Sequence, residues 1–149
     1  MGRVGGIENS GTLLLQNTII ANNETSGGFL SPDCFGPVTS LGNNLIGAPT
    51  ATGCTITLEP SDLTGDPGLG TFTDNGTPGN GHFPLLSSSQ AIDAGNNAVC
   101  FRRDQLGRRR VGPCDIGAIA FRDKDDRRQE EEDDQQHEED LVGAVKGSR

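Results

Sequence analysis

One short grammar occurs twice in the first third of this chain: an apolar run, a corner containing Asn, and a second apolar run. Thr12-Leu13-Leu14-Leu15 is broken by Gln16-Asn17 and followed by Thr18-Ile19-Ile20-Ala21 and then Asn22-Asn23; Val38 to Leu41 is broken by Gly42-Asn43-Asn44 and followed by Leu45-Ile46-Gly47. A helix is the other reading of an apolar stretch of this length. The β-branched residues and the flanking Gly and Asn favour short strands. Asn suits the corners because it tolerates left-handed backbone angles and its amide can bond nearby backbone groups. Stacking of such units would align these amides into ladders.

Strand, Asn corner, strand is the pattern of one coil of a parallel β-helix. Cys54-Thr55-Ile56-Thr57-Leu58 predicts one more alternating strand, and Cys114 to Phe121, CDIGAIAF, predicts a final one; between them Pro60 to Gly81 is dense in turn residues. The chain has 22 Gly, six Phe and no Trp or Tyr, which disfavours a layered globule with aromatic anchors and suits short strands joined by turns. Residues 122–149 carry RDKDDRRQEEEDDQQHEED and hold −5 of the formal net charge of −9. So charged and apolar-poor a segment cannot offset its conformational entropy, and is expected to be a disordered acidic tail. The organisation expected is therefore strand-bearing coils over 1–58, a loop-rich closing segment of the same domain over 59–121, and the tail over 122–149.

The acidic balance excludes general nucleic-acid binding, which needs a basic footprint. No apolar run approaches the roughly 20 residues that span a bilayer. Met1 to Gly6 lacks the apolar region of a signal peptide, and Gly6 stands where a myristoylation pattern needs Ser or Thr. The cysteines nevertheless point to export, so the chain is expected to be the C-terminal piece of a longer secreted or cell-surface protein. With one or two recognisable coils, it is also expected to self-associate when expressed alone.

The densest chemistry lies in Ser87 to Ala118, SSSQAIDAGNNAVCFRRDQLGRRRVGPCDIGA. Four cysteines permit three pairings; Cys34 with Cys54 and Cys100 with Cys114 are favoured because each closes a local loop. A zinc site is disfavoured by the absence of a Cys-x-x-Cys knuckle and by the presence of only two His. Asp62, Asp66 and Asp74 lie among Gly, Pro or Asn, where an Asp commonly makes an Asx turn or caps a backbone donor. Asp93 and Asp115 each precede a small residue and Gly, or Gly itself after Ile, and read as structural carboxylates bonded to backbone N–H groups or to an Arg. Arg108 or Arg110 could clamp Asp104, Asp115 or Asp93 in a bidentate fork, which would lock the loop. The competing reading of the arginines is an anionic-ligand patch. His82, in NGHFPLL, has no nucleophile pattern near it and reads as a hydrogen-bonding residue; Asn23-Glu24-Thr25 and Asn75-Gly76-Thr77 match the glycosylation sequon. No catalytic residue, metal ligand or cofactor is assigned.

In order along the chain, NTIIANN, DCFGPVTSLGNNLIG, a Cys, DLTGDPGLG, TDNGTPGNGH, SSQAIDAG, a Cys, DQLGRRR and CDIGA resemble the C-terminal region of right-handed parallel β-helix proteins of the choice-of-anchor Q type over about residues 5 to 120. Ser88-Ser89-Gln90 and Gly76-Thr77-Pro78-Gly79 depart from the Gly-Ser-Pro and Gly-Gly-Pro-Thr usual there. The resemblance implies an all-β fold: the C-terminal coils of a right-handed parallel β-helix with a loop-rich, disulfide-clipped end. It also implies a surface or secreted role; the function expected is that of a non-catalytic, stalk or adhesin-like structural module, with a cell-surface carbohydrate or protein engaged through upstream coils. The alternative is the remnant of a carbohydrate-active β-helix enzyme, a polysaccharide lyase or glycoside hydrolase, since that architecture hosts acidic catalytic groups.

Overall fold

The apolar pairs at the corners do form strands, and those strands lie parallel. A computed structural model of the chain describes residues 6–24, 33–49 and 54–123, Cys54 by its backbone alone. The strands are β1 (Ile7–Glu8), β2 (Leu14–Leu15), β3 (Ile19–Ile20), β4 (Cys34–Ser40), β5 (Leu45–Ile46), β6 (Cys54–Thr57) and β7 (Leu63–Thr64). In one sheet β4 pairs with β1, β2 and β6; in the other the order is β3-β5-β7. Every pairing between these strands is parallel, with Leu14 beside Thr39, Ile19 beside Leu45, Val38 beside Ile56 and Leu45 beside Leu63. A single 3-10 turn, Asn97–Val99, is the one helical element among the described residues. The fold is thus all-β, and its strand-bearing part extends to Thr64.

Why β3 and β5 carry adjacent apolar residues follows from their two covered faces. Successive side chains of a strand point to opposite sides, and a parallel sheet covered on both faces reads as an unbroken apolar run. Ile20 and Ile46 join Leu15, Cys34 and Val38 in one core cluster, with Ile7, Leu13 and Ile56 packed against it. Leu45, one residue earlier, belongs to a second cluster with Leu85, Ala91 and Ile116, flanked by Ile19 and Leu63. The closing segment, through Leu85, Ala91 and Ile116, covers the face of β3-β5-β7 that carries Ile19, Leu45 and Leu63. At the edge of β7 a side chain does the capping: Gln90 Nε2 donates to the carbonyls of Thr64 (3.1 Å) and Asp66 (3.0 Å).

β4 is longer than the Val38 to Leu41 run predicts, because Asn9 supports its Gly36-Pro37 stretch. The Asn9 amide donates to Pro37 O (2.6 Å) and Gly11 O (3.0 Å), and its Oδ1 accepts from Gly11 N–H (3.1 Å). Gly36 has φ +88°, and a Cβ there would overlap the Asn9 carbonyl oxygen. Only glycine satisfies both conditions.

The corners separate neighbouring asparagines into different tasks. Asn17 and Asn43 have φ of +50° and +55°, the left-handed conformation expected of them. Asn44 is fully buried. Its amide donates to Leu15 O (3.0 Å), Ser40 Oγ (2.9 Å) and Asp62 Oδ1 (3.2 Å), while its Oδ1 accepts from Thr18 N–H (3.0 Å). Asp62 also accepts from Ser40 Oγ (2.6 Å) and from the N–H groups of Asn44 (2.8 Å) and Glu59 (2.7 Å). Burial pushes the Asp62 pKa up, but these donors outweigh it and hold the carboxyl below its ordinary value. Asp33, which is also buried, accepts from Asn23 N–H and side-chain amide and from Ala48 N–H. Carboxylates here act as covalently anchored acceptors for corner backbone.

Candidate functional site

The Ser87 to Ala118 segment is seated by the same corner asparagines. Asn43 Nδ2 donates to Ala94 O (2.9 Å); Asn17 Nδ2 donates to Asn96 O (3.2 Å) and Asn17 Oδ1 accepts from Asn96 N–H (2.7 Å). The amides therefore tether the closing segment rather than bonding one another in a ladder. Further on, Asn96 caps the 3-10 turn through Ala98 N–H (3.0 Å), and Asn97 Oδ1 accepts from Cys114 N–H (2.8 Å). Gly95 N–H donates to Cys114 O (2.6 Å). Cys100 and Cys114 are joined by a disulfide, their Cα atoms 6.3 Å apart. Cys34 is disulfide-bonded as well; the side chain of Cys54, its expected partner, lies outside the described residues.

The final strand expected at Cys114 to Phe121 is absent, and its hydrogen bonds explain why. Ile116 N–H goes to Ala91 O, Gly117 N–H to Asn17 O, and Ala118 O accepts from Gln105 N–H. Phe121 N–H turns back to Asp115 Oδ2 (2.7 Å). Successive groups thus bond four different places instead of one neighbouring strand. Gly117, at φ +100°, supplies the reversal.

Asp115 is the hub of this part. Its other oxygen accepts from Asp93 N–H (2.9 Å), and the side chain is buried. Asp93 therefore contributes through its backbone, in the left-handed conformation at φ +57°, while its side chain is exposed. Asp66 and Asp74 form the predicted Asx turns, accepting from Gly68 and Gly76 N–H. His82 Nδ1 lies 2.7 Å from Asn80 O.

Asp104 organises the arginine loop. Oδ1 accepts from Leu106 and Arg108 N–H (both 3.0 Å), and Oδ2 accepts from Arg108 Nε (3.0 Å), Arg108 Nη2 (2.8 Å) and Ala120 N–H (3.5 Å). Burial raises the Asp104 pKa, yet the Arg108 donors and charge and the Ala120 N–H outweigh it, so the carboxyl titrates below its ordinary value. Of the two candidate clamps, Arg108 holds a carboxylate. Arg110 instead donates from Nη2 to Gly117 O (2.7 Å), and its Nε and Nη1 are shielded without an acceptor. That orphaned guanidinium is the feature sequence reasoning missed, since Arg108-Arg109-Arg110 does not reveal which arginine finds a carboxylate.

Among the described residues, no three His, Cys, Asp or Glu side chains gather as a metal site, and no helix is long and apolar enough to cross a membrane. Asp62 and Asp104 together predict acid lability. Each has a folded pKa below its unfolded one, so its contribution is present above the unfolded value of about 3.9 and is lost as pH falls through the folded value. Thermal melts should give a flat midpoint from about pH 7 to 5 and a fall below about pH 4. A midpoint unchanged at pH 3 would refute this role for the two carboxylates. No protein-family model, curated protein or solved structure matches the chain.

Proposed function

We propose that this chain is a non-catalytic structural module of a secreted or cell-surface protein, stalk or adhesin-like, built as the terminal coils of a right-handed parallel β-helix. The observation that carries the reading is the parallel succession of Ile19, Leu45 and Leu63, with Ile20 and Ile46 facing inward beside them. Stacked short parallel strands around an aliphatic interior are what such coils require. The resemblance to choice-of-anchor Q proteins supports the same architecture and an exported setting, as does the Cys100–Cys114 disulfide. The carboxylates favour structure over hydrolysis: buried Asp33, Asp104 and Asp115 and half-buried Asp62 are each held by backbone N–H groups. A general acid needs a raised pKa, and those of Asp62 and Asp104 are lowered.

Incubation with polyuronates and common β-glycans tests the reading against that of an enzyme remnant. We expect no new reducing or unsaturated ends. Release that disappears in Asp93→Asn or Asp115→Asn variants would overturn it and favour the carbohydrate-active enzyme.

A further inference from the structure

Between Arg3 and Arg122 the chain has no Lys and five Arg, and all five, Arg102, Arg103, Arg108, Arg109 and Arg110, lie inside the loop that the Cys100–Cys114 disulfide closes. A protease that needs a cation before the bond it cuts can therefore enter this part of the chain only within that loop. Both products of such a cut stay joined through the disulfide. We propose that the loop is a processing site for an arginine-specific serine protease, cut between Arg102 and Arg103, and that the module persists as two disulfide-linked chains. The proposal goes beyond the structural reading above, which stands or falls separately.

Four of the five arginines are held by the hairpin they belong to. Asp104 N–H donates to Arg108 O and Gly107 N–H to Asp104 O (both 2.9 Å), and the Asp104 carboxylate holds Leu106 N–H, Arg108 N–H and the Arg108 guanidinium. Arg110 donates to Gly117 O, and its Nε and Nη1 are sealed from solvent, so its head cannot enter a specificity pocket. Arg103 spends Nη1 on Gly107 O (2.6 Å) and is followed by buried Asp104. Arg109 is exposed, but its carbonyl accepts from Arg122 Nη2 (2.6 Å) and it stands opposite Arg103 in the hairpin.

Arg102 is the exception. It is exposed and follows Phe101, which is 85% exposed, and Cys100 before them has extended backbone at φ −76° and ψ 131°. Among the described residues, nothing bonds the Arg102 guanidinium or the N–H groups of Phe101 and Arg102; the one tie is Arg110 N–H to Arg102 O (2.9 Å). An extended segment with free backbone donors is what a partner takes up as an added strand, and exposed loop positions are where nicking concentrates. One backbone bond has to open for a cut at Arg102, against several along the hairpin. The co-reactant is water. Its oxygen bonds the Arg102 carbonyl carbon, the bond to Arg103 N breaks, and the products are a carboxylate on Arg102 and an ammonium on Arg103 that carries both protons of the water.

Brief digestion of the intact, unreduced protein with trypsin, read by denaturing mass spectrometry before and after reduction, is the test; cuts at Arg3 and from Arg122 onward are separated by mass. We expect the first cut inside the loop to fall after Arg102, adding one water to the unreduced mass, with the two chains parting only on reduction. The nicked, unreduced protein should still melt in one cooperative transition. Arg102→Gln, which alters an exposed side chain and leaves the fold intact, should slow cutting in the loop about tenfold or more, and Arg109→Gln should leave the rate unchanged. A first cut after any other arginine of the loop, or no cut in the loop while Arg3 and the residues beyond Arg122 are trimmed, would overturn the proposal. So would equal rates in Arg102→Gln and the wild type, equal slowing in Arg109→Gln, or loss of the cooperative melt on nicking.

Discussion

Asn44→Ala is expected to lower the unfolding free energy by about 3 kcal/mol or more, while Asn43→Ala lowers it by about 1 kcal/mol. The two residues are adjacent and chemically identical, so the contrast isolates position from side-chain type. Asn44 is fully buried, and its amide serves Leu15 O, Ser40 Oγ and Asp62 while accepting from Thr18 N–H. Truncation strands several of these groups away from water, each worth about 1–3 kcal/mol when left without a partner. Asn43 is half-buried and its amide makes one tether, to Ala94 O. Chemical denaturation of the two variants measures the difference. Equal losses would mean that the buried corner network is not what joins the two sheets.

Replacing Cys100 and Cys114 by serine together is expected to cost about 3 kcal/mol, the loop-entropy value for a bridge closing about 15 residues. The sequence separation is 14. In a domain of this size that loss lowers the melting temperature by roughly 10 °C. The bridge holds the arginine loop to the buried Cys114–Ile116 stretch, whose Ile116 packs with Leu45, Leu85 and Ala91. Melting curves of the double variant check the magnitude. A shift of a degree or two would indicate that the surrounding hydrogen bonds hold the loop without the bond.

The strands at Leu14–Leu15, Ile19–Ile20 and Leu45–Ile46 were legible because β-branched and aliphatic residues there are framed by Gly and Asn. Left-handed Asn17 and Asn43 were legible for a local reason, the tolerance of Asn for that conformation. What depends on distant partners was not. The extent of β4 across Gly36-Pro37 depends on Asn9, and the burial of Asn44 rather than Asn43 depends on Asp62 and Thr18. CDIGAIAF has the composition of a strand, yet its backbone groups find Ala91, Asn17 and Asp115 before they find a neighbouring strand. In the site, the pairing of Arg108 with Asp104 is a short-range event within one loop and could be anticipated. The isolation of Arg110 follows from Gly117 O occupying one of its nitrogens, a contact no spacing rule predicts.

The central claim is that the closing segment is an integral cover of the β3-β5-β7 face. Native-state hydrogen exchange of the wild type and the Cys100→Ser/Cys114→Ser variant tests it most directly. The amides of Gly95, Ile116 and Gly117 report on the cover, and those of Leu45 and Leu63 on the sheet beneath; all five are hydrogen-bonded. We predict that the two groups open with similar free energies in the wild type and lose protection together in the variant. Cover amides that exchange freely while Leu45 and Leu63 keep full protection would contradict the claim and make the segment a loose flap on an independently stable sheet.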